Sequence, residues 1–567
     1  MAAIENLITE NMDAWTSAIK KRASQGRGSS KKQELYGIQK LRELILELAV
    51  RGLLVPQSIN EGCGSDLIDQ VYKEKEAWLQ AGRIKKIKKF SPLNSEAIEQ
   101  INLPKSWAVT QLGNLFEVVY GKGLPNSKLT EFGFKVFGAN GIIGNYSSYL
   151  YEEPQLLISC RGAYSGKPNI SPEKCFVTSN SLVLQNEWKH LDQKFFYYAL
   201  TIVDKSKIVT GSAQPQVTTT NLEPFLVQVP PLAEQKRIVA KVDELMLLCE
   251  QLEEQQENSL AAHQQLVEAL LTALTQATNA EAFQQAWARL AANFETLFTT
   301  ENSIDQLKQT LLQLAVMGKL VPQDPNDEPA SLLLEKIAAE KEKLIKEGKI
   351  KKQKPLPEIS EAEKPFLLPS GWEYVRFLEL SNEVATGPFG SMVHKSDYML
   401  GGVPLINPSH MQNSKIIEDE KISVSIRKAQ ELSSYRLTTG DIVMARRGEM
   451  GRAALVTARE DGWLCGTGSF ILRFNKVVFR EYILLLFKTE WVCKYLGGKS
   501  IGTTMTNLNH SILNKLPLLL PPIAEQKRIV AKVDQLFAIC DQLKEKIRTA
   551  EETQLQLADA LTSQAIQ

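Results

Sequence analysis

The chain is 567 residues long, 43% hydrophobic and 23% charged, with a net charge of +1. Such a length exceeds one core and predicts about two to four domains; the near-neutral balance neither requires nor excludes a nucleic-acid partner. The seven scattered cysteines include no Cys-x-x-Cys pair, the opening Met-Ala-Ala-Ile-Glu-Asn is no basic-then-apolar signal, and no apolar run approaches a membrane span. These features predict reduced thiols, a cytoplasmic location and no membrane partner.

The first element is a helix over Leu41-Arg-Glu-Leu-Ile-Leu-Glu-Leu-Ala-Val50, stopped at Gly52 and followed by Val-Pro-Gln57. A polar helical stretch ends in the basic run Arg83-Ile-Lys-Lys-Ile-Lys-Lys89, and Leu103-Pro-Lys-Ser-Trp107 opens a block that reads as mixed α/β. Within it Gln155–Cys160 has strand character and Tyr197–Val203 helical character. Pro230-Pro-Leu-Ala-Glu-Gln-Lys-Arg-Ile-Val-Ala-Lys-Val-Asp243 then starts a long helix with apolar residues at Ile238, Val242, Leu245, Cys249, Leu252, Leu266 and Leu270. The whole series returns. Leu307–Gln323 repeats the first helix with Gly318 as its stop, Lys349–Lys354 the basic run, Leu368-Pro-Ser-Gly-Trp372 the opening of a second block, and Pro521–Asp534 the long helix. In the second block Asp441–Ala445 has strand character and Tyr482–Phe487 helical character.

The second long helix places Ile529, Val533, Leu536, Cys540, Leu543, Ile547, Ala550, Leu557 and Leu561 on one seam. Four-three spacing is the heptad signature, so each helix calls for a partner along its length, interrupted on the first seam by Gln256, Ser259 and His263. A helix of roughly 40 residues spans on the order of 60 Å. The expected fold is α+β: two α/β domains separated by two long helices that pair as an antiparallel coiled coil, in a pseudo-twofold internal repeat. The expected divisions are 1–102 (helices and basic linker), 103–230 (first block), 231–300 (central long helix), 301–367 (repeating 35–102), 368–521 (second block) and 522–567 (second long helix).

Register separates spacers from adaptable parts. The offset between halves is 265 at the tryptophans (107 to 372) and 291 at the Pro-Pro pairs (230 to 521), so the difference of 26 residues lies inside the blocks. The helices therefore read as fixed rulers, and the blocks as the places where function varies.

No catalytic constellation stands out. The five histidines have no metal-ligand spacing, and no Gly-x-Gly-x-x-Gly, Asn-Pro-Pro-aromatic or Asp-Pro-Pro-Tyr run is present. Gly162-Ala-Tyr-Ser-Gly-Lys167 departs from a phosphate-binding loop by one residue and by Pro168 in place of Ser/Thr. Each block does carry a strand running into an Arg-Gly turn, Ile158-Ser-Cys-Arg161-Gly…Lys167 and Val443-Met-Ala-Arg446-Arg447-Gly…Arg452. Glycines permit close backbone approach, and Arg or Lys can engage phosphates or the O6/N7 edge of guanine. Gly211…Thr218-Thr-Thr220-Asn221 and Gly502-Thr-Thr504-Met-Thr506-Asn507 follow; their short polar side chains suit phosphate or adenine contact, and equally suit capping the next helix. Lys/Arg exceed Asp/Glu by 11 to 9 over 103–230 and by 18 to 14 over 368–521, which permits DNA binding without demanding it. The candidate DNA-contacting residues are Lys122, Arg161, Lys167 and Thr220 in the first block and Arg447, Arg452, Thr504 and Thr506 in the second.

With both helix motifs doubled in this order, and with the Arg-Gly turns and Thr-Asn-Leu loops between them, the chain resembles the specificity subunit of a type I restriction–modification system over nearly its whole length. The resemblance implies that the blocks are target recognition domains, each reading half of a split site in double-stranded DNA. It also implies that the helices set the gap and dock two methyltransferase (M) subunits, with restriction/translocase (R) subunits joining for cleavage. Adenine methylation and cleavage, and with them S-adenosylmethionine, ATP and Mg²⁺, would belong to those partners, leaving this chain non-catalytic and without a cofactor. Because Gly387-Pro-Phe-Gly-Ser-Met-Val-His394 has no sequence counterpart beside Tyr120-Gly-Lys122-Gly-Leu-Pro, the two half-sites are expected to differ. A coiled-coil adaptor without DNA binding would also account for the helices, though not for the paired Arg-Gly turns.

Overall fold

The computed structural model describes residues 7–21, 33–82, 84, 87–91, 103–186, 190–211, 214–498 and 508–566. Two compact units divide the chain: residues 1–260 with 549–567, and residues 261–548.

In the first unit the helix Tyr36–Val50 buries Ile38, Leu41, Leu44, Ile45, Leu48 and Ala49, the stripe expected of 3.6-residue periodicity. It stops at Gly52, whose φ of +70° favours glycine, and a Cβ there would lie 2.5 Å from Pro104 Cγ. The helix Gly64–Gln80 follows and buries Lys75, whose ammonium donates to the carbonyls of Gly113 (2.8 Å) and Phe116 (3.3 Å); burial pushes its pKa down to about 8. Strand Ala108–Gln111 pairs antiparallel with Leu226–Val229, so the α/β domain begins and ends side by side. Between them lie a four-stranded antiparallel sheet, in the order Glu117–Tyr120, Ser181–Gln185, Leu156–Ser159, Pro168–Ile170, and a three-stranded sheet around Phe134–Phe137. The helix Gln193–Thr201 covers the larger sheet with Phe195 and Phe196.

The second unit repeats each part. Helix Glu301–Val316 stops at Gly318 (φ +68°), where a Cβ would lie 2.4 Å from Pro369 Cγ. From helix Ala330–Lys346, Lys341 donates to the Leu378 and Glu379 carbonyls at 2.8 and 3.2 Å, and burial again lowers it to about 8. Strand Glu373–Arg376 pairs with Pro517–Leu520 around a sheet ordered Ser381–Thr386, Ser469–Phe474, Ile442–Ala445, Ala453–Leu455. The extra chain is concentrated in one stretch: Ile406 to Ala445 spans 39 positions where the equivalent Phe137 to Ser159 spans 22, a difference of 17. It holds a hairpin, Met411–Gln412 with Lys415–Ile416, and a helix, Ile426–Glu431.

The long helices run Leu232–Gln276 and Ile523–Ile566. Leu245, Cys249 and Leu252 share the first unit's core with Ala558 and Leu561, whereas Val267, Leu271 and Leu274 share a second-unit core with Cys540 and Leu536. Each unit therefore takes a stretch from both long helices into its own core. In the first unit Tyr36 Oη donates to Asp559 (2.7 Å); in the second, Lys544 pairs with Asp305 (2.8 Å) and Arg548 with Glu301 (3.0 Å). The seam departs from a strict heptad: Val267 and Ala558 are buried, while Leu266 and Leu557 are exposed. A 3.6-residue helix drifts against a 3.5 repeat, and the polar stretch from Glu253 to Gln265 lets the seam advance by one residue.

The Pro-Pro motif has a structural explanation. Glu234, 1% exposed, accepts from Trp107 Nε1 (3.0 Å) and Gln57 Nε2 (2.6 Å); Glu525, also 1% exposed, accepts from Trp372 Nε1 (2.9 Å) and Gln323 Nε2 (2.6 Å). The following glutamines turn back on the prolines, Gln235 Nε2 to the Pro230 carbonyl (2.9 Å) and Gln526 Nε2 to that of Pro521 (2.8 Å). Arg237 pairs with Glu61 and Arg528 with Asp327, each at 2.6 Å. Three distant motifs therefore meet at one carboxylate in each unit.

Two outcomes follow. Replacing Glu525 by Ala orphans the buried Trp372 N–H and takes one of two bonds from the exposed Gln323 Nε2, which keeps the Gly318 carbonyl (3.1 Å). It is expected to lower stability by roughly 2 kcal/mol, against about 1 kcal/mol for Trp372→Phe, which removes one bond; urea denaturation of the two variants checks the ranking. Buried Arg376 forks onto Glu363 at 2.8 and 2.9 Å, holding its carboxyl at about 2, below the ordinary 4.5. A depressed carboxyl stabilises the fold above the unfolded value and loses that contribution as pH falls through the folded one. With the carboxylate partly exposed, Glu363→Gln should cost about 1–2 kcal/mol at pH 7 and progressively less toward pH 2, read from melting at each pH.

Candidate nucleic-acid interface

Antiparallel pairing brings Tyr120, Ser181, Ser159 and Pro168 to one end of the first domain's larger sheet. Three of the sequence-selected cations leave from that end. Lys122 follows the first of these strands, its N–H bonded to the Val177 carbonyl (2.9 Å); Arg161 and Lys167 bracket the turn that joins Leu156–Ser159 to Pro168–Ile170. All three are exposed. The turn holds its shape through left-handed Gly162 (φ +81°) and Gly166 (φ +83°) and through Ser159 N–H to the Lys167 carbonyl (2.9 Å). It leads into a strand rather than a helix N-terminus, so it lacks the frame of a phosphate-binding loop.

The Gly211-led loop packs against this turn. Arg161 forms a bridge with Gln216, Val217 N–H bonds to the Cys160 carbonyl (3.0 Å), and Ser165 Oγ donates to the Pro215 carbonyl (2.7 Å). Within the loop, capping falls to Thr218, whose hydroxyl accepts from Asn221 N–H (3.3 Å), and Thr220 stays exposed beside it.

In the second domain, Ala445 N–H bonds to the Arg452 carbonyl (2.8 Å) and Leu508 N–H to that of Arg446 (2.9 Å), the same pattern as at Ser159 and Val217. This register matches Arg447 with Arg161 and Arg452 with Lys167, and the turn glycines Gly448 (φ +84°) and Gly451 (φ +83°) match Gly162 and Gly166. Gly121 and Gly387 match as well, each N–H bonding to the first residue of the central strand, Ser181 or Ser469, at 3.1 and 2.9 Å. The two unlike segments, Tyr120–Pro125 and Gly387–His394, thus start from equivalent places, with Pro388 opposite Lys122. Asn509 caps the short helix His510–Asn514 as Thr218 caps Thr219–Leu222. Thr504 and Thr506 lie outside the described residues.

Arg447 is exposed; Arg452 is paired with Glu449, Nε to Oε2 at 3.1 Å. Sequence reading passed over Arg446, whose Nε donates to the Leu508 carbonyl (3.1 Å) and whose guanidinium lies 4.9 Å from the Phe470 ring. Burial among neutral groups lowers its pKa, with Arg447 adding repulsion. His510, against the same ring and bonded to Thr386 Oγ1 (3.1 Å), is also lowered, by burial first and then by Arg446. No local pattern announces this cluster, because sheet register assembles it from four separate segments. In the basic linkers, Lys88 pairs with Glu223 and Lys349 with Glu347, so these two charges serve contacts within the chain. Among the described residues no cluster of His, Cys, Asp and Glu could hold a metal, and no helix is long and apolar enough to cross a membrane.

A family model described as "Type I restriction modification DNA specificity domain" matches residues 104–262 and 369–552. The chain is 37% identical to the type I restriction enzyme EcoEI specificity subunit of Escherichia coli and 37% identical to the EcoAI specificity subunit of the same organism, in each case over 100% of both chains. Among solved structures, it is similar to the HsdS subunit of Thermoanaerobacter tengcongensis, at 17% identity and a TM-score of 0.38 over 82% of this chain and 97% of that one. Doubled along the chain and matched across its full length, the sequence belongs to the family of type I restriction–modification DNA specificity subunits.

Proposed function

We propose that the chain supplies DNA sequence specificity to a type I restriction–modification complex, reading a bipartite, asymmetric target in double-stranded DNA with residues 103–230 and 368–521 as its two recognition domains. The observation that carries this reading is the matched pair of Arg-Gly turns, each projecting an exposed arginine from the equivalent end of its own domain's four-stranded sheet. Arg161 and Arg447 are the base-edge candidates, since a guanidinium fits guanine O6 and N7 in two parallel bonds. Lys122, Lys167, Thr220 and Arg452 flank them on the described surface, and Thr504 and Thr506 are retained from the sequence as candidates in the second domain. Two methyltransferase subunits would dock on the repeated helical scaffold and hold S-adenosylmethionine; restriction/translocase subunits would hold ATP and Mg²⁺. This chain's part is non-catalytic: to fix where the partners act and how far apart the half-sites lie.

The test is methylation mapping with the assembled complex. Arg447→Ala should cost about 1–3 kcal/mol, roughly 5- to 150-fold, on one half-site while the other keeps its sequence, and Arg161→Ala should do the same to the opposite half. Unchanged sites at normal efficiency would overturn the assignment. Lys122→Ala should instead weaken all duplexes alike and lower the slope of log K against log salt by about 1. Exchanging residues 103–230 for another family member's block should replace one half-site alone; a swap that changed both halves would refute separate reading.

A further inference from the structure

The two Arg-Gly turns share their end bonds and left-handed glycines but hold three residues between the glycines in the first and two in the second, and present different chemistry there. In the first, Ser165 faces inward, its hydroxyl on the Pro215 carbonyl, and Tyr164 faces out, 53% exposed. In the second, the Met450 carbonyl accepts from Cys493 Sγ (3.3 Å) and its side chain packs on the domain core, while the Glu449 side chain is 69% exposed. The cation closing each turn is turned toward that outward residue. Lys167 Nζ lies 5.7 Å from the Tyr164 ring centroid, and Arg452 gives both Nε and Nη2 to Glu449 Oε2.

We infer that Tyr164 and Glu449 are base-reading side chains, and that Lys167 and Arg452 are positioning residues for them rather than phosphate contacts. The inference rests on the proposed DNA contact of these turns. A carboxylate brought against a duplex meets phosphate repulsion, which Arg452 offsets by neutralising it. Because both Arg452 bonds go to Oε2, Oε1 has no partner among the described residues. A carboxylate oxygen only accepts, and the donors a duplex offers in its major groove are the exocyclic amines, cytosine N4 above all. Glu449 therefore selects a base pair presenting such an amine. Tyr164, with an apolar ring face, suits a thymine methyl instead. Arg452 and Glu449 also line a groove of about 1200 Å³ together with Lys308 and Asp541, which are paired with each other and make no claim on Glu449.

The test uses the complex of this chain with its methyltransferase subunits and duplexes carrying each base pair at each position of the second half-site, titrated at several salt concentrations. Glu449→Gln should lose about tenfold discrimination at one base pair and leave the first half-site unchanged. Arg452→Ala should lose the same discrimination at the same base pair with its salt slope intact. If Arg452→Ala instead weakens every duplex alike and the slope falls by about 1, Arg452 holds a phosphate and the positioning role is wrong. If Glu449→Gln changes no discrimination, the reading role is wrong. Arg447→Ala separates the two levels: neutrality there as well overturns the contact of the whole turn, whereas relaxation by Arg447→Ala beside an inert Glu449→Gln overturns this inference alone.

Discussion

A carboxylate withdrawn from water must be given donors, and in this chain that requirement fixes the rest. Glu234 and Glu525 sit at the start of the long helices with 1% exposure, and burial pushes both pKa values up while the Trp and Gln donors pull them back. The donors come from far away in sequence: Gln57 and Gln323 end the first helical motif, and Trp107 and Trp372 open the α/β domains. Each of these residues is therefore constrained by the others. Gly52 and Gly318 follow from the same assembly, because the prolines and tryptophans of the clasp occupy the space a Cβ would need. The ion pair beside it is made by Glu61 in one unit and Asp327 in the other, each carboxylate meeting its arginine at 2.6 Å, so charge is kept while side-chain length differs.

Anchoring at both ends leaves the middle of each domain free. The paired strands Ala108–Gln111 with Leu226–Val229, and Glu373–Arg376 with Pro517–Leu520, close each domain beside its clasp. Whatever lies between need only return the chain to the same place. The second domain accordingly accommodates most of its additional residues between Ile406 and Ala445 without disturbing the four-stranded sheet or the backbone bonds at its end.

The repeat order, the stops at Gly52 and Gly318, the strands within 155–160 and 441–445 and a helix at 482–487 were legible in the sequence, because periodicity and turn chemistry are local, whereas the helix expected over 197–203 lies at 193–201. So was the matching of Arg161 with Arg447, through the Arg-Gly dipeptide. The clasp was not: each motif was visible, but the 177 positions separating Gln57 from Glu234 carry no sign that they meet. Residue-level seam positions also escaped a heptad reading, which placed Leu266 and Leu557 inward where the helix turns Val267 and Ala558 there. Arg452 looked like one more cation, and its commitment to Glu449 three residues earlier was available only as one weak helical-spacing pair among many.

The division between buried and exposed residues also explains how one scaffold can hold unlike readers. Tyr164 and Glu449 touch neither clasp nor core, so exchanging them changes stability by only about 0.5 kcal/mol or less. Their supporting turns are fixed by backbone bonds and left-handed glycines, which do not depend on what the outward side chain is. A substitution at these positions can therefore alter which donor or methyl group the surface complements without threatening the fold. The same change at Glu234 or Trp107 would leave the sheet end in place only if the unit still folded. Specificity is free to diverge between the halves because the carboxylate that holds each half together is buried away from it.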